Sequence, residues 1–250
     1  MSRSKLGLLG LCVMALSLMA FAADSASAAE WLILNSGGAV KTAKELNASL
    51  VSEIEFGTVG ALLTHLAGLS IGILCKHATL ENAKLVGGGG VSSIFQKATF
   101  ASCTVVEEPK GTSLAGCTVK SNGAETGFVS SKEGKGQLQS NGEILIESNT
   151  IAEELKKIVG VLAELKFGGP ECPLAVLGTT PVKGVLWIKD CEGKVETHLV
   201  KHLIIESTAH GHTLWLGADT AEHLETSVDG SALVFLSGEH AGMEWGATLP

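Results

Sequence analysis

The sequence predicts an all-β protein built as an antiparallel sandwich or barrel. Short runs rich in Leu and β-branched residues recur along the chain, as in WLILN, GEILIES and SALVFLSG. Turn signals separate these runs, among them Asn122-Gly123, Asn141-Gly142 and Asp229-Gly230. Asn-Gly and Asp-Gly pairs are the strongest short hairpin signals. Many short strands joined by regular turns are typical of sandwiches and barrels.

Residues 1–28 have the pattern of a secretory signal peptide, which predicts export. Arg3 and Lys5 give a positive start, residues 6–23 are apolar, and Ala26-Ser27-Ala28 is a small-residue cleavage site. A retained membrane anchor is the alternative. A lipid anchor is not expected, because Cys12 lacks the small preceding residue of a lipoprotein site. The protein should therefore be extracellular or lie in the cell envelope.

Cleavage after Ala28 would leave residues 29–250 as the secreted β-rich domain. That length suits one large all-β domain, or two subdomains that divide near 125–150. Residues 57–75 are long and apolar enough to span a bilayer. Their glycines and His65 favour buried strands with a connecting turn instead, so no membrane span is expected after cleavage.

Two strands can be described in more detail. In GEILIES, Ile144 and Ile146 alternate with other residues, which predicts one buried and one mostly solvated face. Residues 231–237, SALVFLS, lack such an alternation and predict a more fully buried strand. Its expected partner is the segment 221–227, reached through the Asp229-Gly230 turn.

The segment TIAEELKKIVGVLAELKF, residues 150–167, resists the β pattern. Its apolar residues Ile151, Leu155, Ile158, Leu162 and Leu165 have helical spacing. Thr150 and Glu153 have the form of a capping box. Gly160 counts against one continuous helix, since glycine is unfavourable inside helices. A short helix near 150–157 followed by a strand is the alternative.

The composition argues against nucleic-acid binding. The net charge is −8, and Arg3, the only arginine, lies in the predicted signal peptide. Binding to phosphates needs clustered Lys and Arg. The chain has no Tyr and four Trp, namely Trp31, Trp187, Trp215 and Trp245. Half-buried anchoring is the commoner use of Trp, and a binding platform is the alternative.

The cysteines predict disulfides and one unpaired thiol. Of six cysteines, Cys12 would be lost on cleavage, which leaves an odd number. Export permits disulfides, so one thiol should stay free or link two chains into a dimer. Pairing by proximity would join Cys103 to Cys117 and Cys172 to Cys191, and would leave Cys75. There is no C-x-x-C motif and no paired zinc-knuckle spacing.

Motifs of hydrolases and nucleotide-binding proteins are missing. The chain has no G-x-S-x-G, no H-E-x-x-H and no phosphate loop after the glycine run 87–90. We therefore expect a non-catalytic protein with no catalytic residues and no cofactor. Triads assemble from distant residues, so a secreted hydrolase with an unrecognised site remains an alternative.

The segment HLVKHLIIESTAHGH, residues 198–212, carries four of the eight histidines and suggests a metal site. The β-branched content of residues 195–208 favours a strand, in which His198 and His202 lie roughly 13 Å apart. AHGH is then expected to be a hairpin turn. His210 and His212 could still share one ion with Glu206 or His202. We expect only weak zinc or nickel binding.

Several stretches resemble a family of uncharacterised secreted bacterial proteins. They are GILCKHATLENAKL, ATFASCTV and AGCTVKS, then GVLAELKFGGPECPLAVLGTTPVKGVLWI, then LWLGADTAEHLETSVDGSALVFLSGEHAGMEWGA. The resemblance implies export and a β-rich fold, and no known activity. It also implies that Cys75, Cys103, Cys117 and Cys172 are the paired set and that Cys191 is the odd cysteine, with three connectivities open.

These observations together predict a secreted, disulfide-containing, non-catalytic envelope or extracellular protein. Its ligand or partner is not specified by the sequence. A metal-binding protein that uses the histidines of residues 198–212 is the first alternative, and a secreted hydrolase is the second.

Overall fold

A computed structural model of the chain describes residues 29–34, 36–42, 49–50, 53–54, 60–66, 69–86, 93–148, 160–190, 199–208, 210, 213–217 and 224–248. The predicted signal peptide over 1–28 and the predicted short helix near 150–157 lie outside these residues. Cys191, His198 and His212 also lie outside them.

The described chain is strand-rich, and its strands pair antiparallel, which confirms the predicted all-β class. Two 3-10 helices, η1 (Pro173–Leu177) and η2 (Gly238–His240), interrupt the strands. The strands are β1 (Glu30–Leu34), β2 (Val40–Thr42), β3 (Ser49–Leu50), β4 (Glu53–Ile54), β5 (Gly60–Leu66), β6 (Leu69–Cys75), β7 (His77–Glu81), β8 (Ala83–Leu85), β9 (Ser93–Phe95), β10 (Lys97–Ala101), β11 (Thr104–Glu108), β12 (Thr112–Ser113), β13 (Thr118–Ser121), β14 (Val129–Ser130), β15 (Gly134–Leu138), β16 (Ile144–Ser148), β17 (Val161–Gly168), β18 (Thr179–Gly184), β19 (Leu186–Asp190), β20 (His202–Ser207), β21 (Leu214–Leu216), β22 (Leu224–Asp229), β23 (Ser231–Phe235) and β24 (Trp245–Thr248).

Most strands belong to eight long segments that run back and forth between two large sheets. The eight-stranded sheet has the order β23-β20-β19-β16-β15-β9-β8-β3, and the nine-stranded sheet has the order β12-β11-β6-β5-β22-β21-β18-β17-β13. A four-stranded sheet, β14-β10-β7-β4, lies along four of the segments. In chain order the segments are A (49–66), B (69–85), C (93–108), D (118–138), E (144–168), F (179–190), G (202–216) and H (224–235), where each range refers only to the residues within it that the structure describes.

The described segments form two half-barrels that complete each other. In the eight-stranded sheet their order is H to A, so this sheet is open between A and H. In the nine-stranded sheet A pairs with H through β5 and β22, and the opening lies between C and D. Segments C and D pair in the eight-stranded sheet through β9 and β15. Each segment thus pairs with the next around a cycle, as in up-and-down barrels.

The segments change sheets at corners where the backbone has positive φ. Asn82 (φ 49°) and Ser102 (φ 55°) mark two such corners, in segments B and C. Gly184 (φ 119°) ends β18 just before the chain enters β19, and a Cβ there would lie 2.0 Å from the carbonyl oxygen of Thr213. Only glycine combines that φ with so close a backbone approach.

Two predicted hairpins are wrong for the same reason. The Asp229-Gly230 turn does not pair the strands on either side of it. β22 pairs with β5 and β21, whereas β23 pairs with β20 in the other sheet. Likewise β20 and the following β21 lie in different sheets and do not pair with each other, so the hairpin predicted across AHGH is not formed. β23 also alternates in burial, in contrast to the predicted fully buried strand.

Other strand predictions agree with the structure. Ile144 is buried and Ile146 packs on the core, as the GEILIES pattern predicts. The apolar residues 57–75 include the paired strands β5 and β6. Leu162 and Leu165 belong to strand β17, so the helical spacing does not extend through them. No helix among the described residues is long and apolar enough to cross a membrane.

The interior holds two hydrophobic clusters, one toward each end of the barrel. The first, called the cap cluster, comprises Trp31, Ile33, Ala83, Leu85, Leu138, Ile144, Val234, Leu236, Trp245 and Ala247. The second, called the disulfide cluster, comprises Ile71, Ile73, Cys75, Cys103, Val105, Val119, Val129, Leu165, Phe167, Cys172, Leu174, Val182 and Leu216. Both clusters contain residues from before and from after residues 125–150, the region near which the sequence allows a division into two subdomains.

Candidate functional site

Each end of the barrel carries an additional element. At one end β1, β2 and β24 form a separate three-stranded sheet. Its Trp31 and Trp245, with ring centroids 5.4 Å apart, are buried in the cap cluster. At the other end η1 contributes the fully buried Leu174 to the disulfide cluster. These elements bury the apolar ends of the interior, which favours folding by the hydrophobic effect.

An apolar cavity of about 180 Å³ lies between the two clusters. The described residues of its wall come from seven of the eight segments, B to H, so the cavity lies in the middle of the barrel. Residues that represent the seven segments in order are Ile73, Phe100, Val129, Leu162, Leu186, Leu214 and Val228. Protein interiors are normally packed with few voids larger than a water molecule, so a cavity of this size is a candidate binding site.

The cavity wall offers little to a polar ligand. Among the lining residues that the structure describes, Ser131 alone has a hydroxyl. Its oxygen accepts a hydrogen bond from the amide of Ala98 at 2.8 Å and donates one to the carbonyl of Lys132 at 2.8 Å. The sulfur of Cys75 is held in a disulfide. A polar group placed in the cavity would lose hydrogen bonds to water without replacement, so the wall selects apolar molecules.

The histidine segment forms a different and smaller cluster on the outside of the eight-stranded sheet. His210 Nε2 lies 2.8 Å from Glu143 Oε1, and the His210 ring stacks on Trp187 with centroids 4.4 Å apart. The Asn141 amide donates to the other oxygen of Glu143 at 2.7 Å. The imidazole therefore links the crossing between β20 and β21 to the turn before β16 and to strand β19.

The environment of Glu143 alters its acidity. Partial burial acts to raise the pKa of this carboxyl. The hydrogen bonds from His210 and Asn141, together with the nearby positive charge of Lys189, outweigh burial and hold the pKa of Glu143 below its ordinary value. Lys189 also pairs with Glu206 at 2.9 Å on the neighbouring strand. The cluster thus favours an ionised Glu143 and holds the His210 ring in place.

The predicted metal ligands are not brought together by the described chain. His202 lies at the start of β20, where its ring contacts Phe235 with centroids 5.5 Å apart. His210 follows the other end of that strand, which spans about 17 Å at about 3.3 Å per residue. Among the residues that the structure describes, no three His, Cys, Asp or Glu side chains form a group that could hold a metal ion.

The disulfides differ from pairing by proximity. Cys75 pairs with Cys103, and Cys117 pairs with Cys172. The prediction that joins Cys103 to Cys117 and Cys172 to Cys191 is therefore wrong. The first bridge joins segments B and C, and the second joins the chain just before D to the chain just after E. The four paired cysteines are the set that the family resemblance implies.

Comparison with known proteins does not identify a function. No known family matches this chain, and neither the curated proteins nor the solved structures include a significant match. The class of protein is therefore defined by the fold and its cavity alone: an antiparallel, disulfide-bonded barrel of eight long segments with an apolar space inside.

Sequence reasoning missed the cavity. Its wall combines single residues from seven segments, and each of them looks like an ordinary core residue in its own strand. The nearest sequence signals are small residues on inward-facing positions, such as Ala98 and Ala163, which leave space that larger side chains would fill. That signal becomes visible only when the segment pairings are known.

Proposed function

We propose that this is an exported, non-catalytic binding protein that holds one small apolar molecule inside its barrel. The observation that carries the proposal is the apolar cavity of about 180 Å³. Eight-stranded barrels either fill their interior with side chains or hold one small ligand there. The signal-peptide pattern of residues 1–28 and the two disulfides support export, because structural disulfides persist in oxidising compartments.

The size of the cavity supports a ligand about as large as a single substituted ring. An engineered protein cavity of roughly 150 Å³ lined by Leu, Ile and Phe stays dry and binds benzene. The cavity here is slightly larger, and its wall has the same kind of side chain. Burial of apolar surface contributes roughly 25 cal/mol per Å², which is sufficient for millimolar or tighter binding of a ring-sized hydrocarbon.

The scarcity of free hydrogen-bonding groups in the described wall predicts discrimination against polar isosteres. Fluorobenzene and phenol have nearly the same size, but phenol carries a hydroxyl. Ser131 already donates its one hydroxyl proton and keeps a single lone pair that could accept from phenol, so the phenol hydroxyl would exchange its several hydrogen bonds to water for one at most, at a cost of up to roughly 1–3 kcal/mol. We therefore expect phenol to bind about 5- to 150-fold more weakly than fluorobenzene.

Ligand-dependent thermal unfolding of the oxidised protein tests the proposal. At ten times its Kd, a ligand that binds only the folded state adds about 1.4 kcal/mol of stability. For a chain of this size that corresponds to a Tm increase of roughly 3–6 °C. Benzene, toluene and fluorobenzene should produce this increase, and phenol should produce less at equal concentration.

A cavity-filling variant supplies the matched control. Ala98 is buried in the cavity wall, so Ala98→Leu should fill part of the space and abolish the ligand-dependent increase. Ala115→Leu makes the same chemical change at an exposed turn residue and should retain the increase. Wild-type protein whose Tm does not respond to any of the three apolar compounds, each near saturation in water, would rule out the proposed function.

A further inference from the structure

The cavity and a polar groove on the protein surface share one side chain, that of Phe95. The groove is formed by Asn82, Lys84, Gln96 and Glu133, all of which are exposed. Phe95 is half-buried and belongs to the walls of both the groove and the apolar cavity. It therefore lies between the interior of the barrel and solvent.

The neighbours of Phe95 across the sheet are the smallest residues available. Gly134 on β15 is its direct cross-strand partner. The tip of the ring covers this glycine so closely that a Cβ on Gly134 would lie 2.2 Å from Cζ of Phe95. On the other side, the pair Lys84 and Ile94 places Ala83 next in register with Phe95. Neither cross-strand neighbour has a bulky side chain that would block rotation of the ring.

The backbone around Phe95 is held more firmly than its side chain. Phe95 is the last residue of β9, and the chain bends at Gln96 before β10 begins. The Gln96 amide donates to the carbonyl of Glu81 at 3.0 Å, and the Asn82 side chain donates to the Gln96 side chain at 2.5 Å. These bonds fix the corner of the sheet, so a passage here requires rotation of a side chain and no change of the main chain.

Other routes through the described wall are more costly. The remaining lining residues lie on segments that pair with neighbours through main-chain hydrogen bonds, each worth about 0.5–1.5 kcal/mol net and more when the groups are left buried. Five of the described lining residues belong to the disulfide cluster, and Phe95 and Ile146 pack against the cap cluster that contains Trp31 and Trp245. Rotation of the half-buried Phe95 ring breaks no main-chain hydrogen bond and costs only the contacts that this one ring makes with the cap cluster.

We propose that Phe95 is the gate through which an apolar ligand passes between the groove and the cavity. This inference rests on the proposed function. With its ring over Gly134, Phe95 narrows the path between the groove and the cavity. Rotation of the ring toward the groove opens a path bordered by Lys84, Gln96 and Glu133. The gate determines how fast a ligand enters and leaves, and the cavity determines how tightly it binds.

Exchange of fluorobenzene, measured by fluorine magnetisation transfer on the oxidised full-length protein, tests the gate. Phe95→Ala should raise both the association and the dissociation rate by about tenfold or more, a barrier change of about 1.4 kcal/mol. Gly134→Ala keeps the Phe95 ring, but the added Cβ displaces the ring from its position over residue 134. This variant should also raise both rates, with little change in Kd. Phe95→Trp places a larger ring in the gate and should lower both rates.

Phe128→Ala is the matched control, since Phe128 is 39% exposed and belongs to neither the cavity nor the groove. If wild type binds fluorobenzene and the Phe95 and Gly134 variants exchange it at the same rates as wild type and Phe128→Ala, the gate is refuted and the proposed function stands. Absence of any binding to the wild type would overturn both. If Gly134→Ala does not fold, Phe95→Ala and Phe95→Trp still test the gate, because the first should raise the exchange rates and the second should lower them.

Discussion

Removal of the disulfide between Cys117 and Cys172 should destabilise the protein more than removal of the one between Cys75 and Cys103. The two bridges close separate stretches of chain, with sequence separations of 55 and 28 residues. In the chain-entropy treatment, a disulfide stabilises a protein by restricting the unfolded chain, and the effect grows with loop length. The two pairs can therefore be ranked from their positions.

The magnitudes follow from the loop lengths. The entropy relation gives roughly 4.2 kcal/mol for the bridge from Cys117 to Cys172 and roughly 3.6 kcal/mol for the bridge from Cys75 to Cys103. Because the loops do not overlap, the effects should add to roughly 8 kcal/mol. Native domains have a total stability of about 5–15 kcal/mol. Loss of both bridges should thus leave the protein largely unfolded near room temperature.

Equilibrium unfolding in urea measures these values. The double variants Cys75→Ala with Cys103→Ala and Cys117→Ala with Cys172→Ala should each lower the free energy of unfolding by about 3–5 kcal/mol. Their m-values should rise, because an uncrosslinked unfolded chain exposes more surface. Truncation of the buried sulfurs adds a packing loss. Wild type kept reduced by excess reductant, without alkylation, is the comparison that retains these sulfurs. Losses below about 1 kcal/mol for either pair, or unchanged m-values, would refute the entropic reasoning.

Three further predictions concern Glu143, the unpaired cysteine and zinc binding. Since the pKa of Glu143 is lowered in the folded state, its contribution to stability is complete above the unfolded value of 4.5 and is lost as the pH falls through the folded value. Wild type should therefore lose more stability on acidification than Glu143→Gln, as urea midpoints between neutral and acidic pH would show. Thiol titration of the unfolded, unreduced chain should find one thiol per chain, Cys191, unless the protein is a disulfide-linked dimer; a monomer without a thiol would contradict this. Zinc should bind weakly near neutral pH, since His210 is already engaged by Glu143 and Trp187. Calorimetry with a stoichiometric submicromolar site that His210→Ala and His212→Ala abolish would show the opposite.

The sequence by itself determined the local structure of the strands. Period-two burial identified the inward residues of GEILIES, and β-branched residues identified the strand that contains His202. Both signals act over a few residues, because alternation of side chains is a property of a single extended chain. The same locality explains the ambiguity of residues 150–167, where the apolar spacing suits a helix but Leu162 and Leu165 lie in β17.

The tertiary structure alone decided which strands pair, which cysteines meet and where the cavity lies. Asp229-Gly230 shows the physical reason: a glycine with positive φ suits a tight hairpin as well as a corner between sheets. The choice depends on partners such as β5 and β20, which are distant in sequence. The pairing of Cys117 with Cys172 follows from the adjacency of segments D and E. The cavity is a space between side chains of seven segments, so it exists only once all of them are in place.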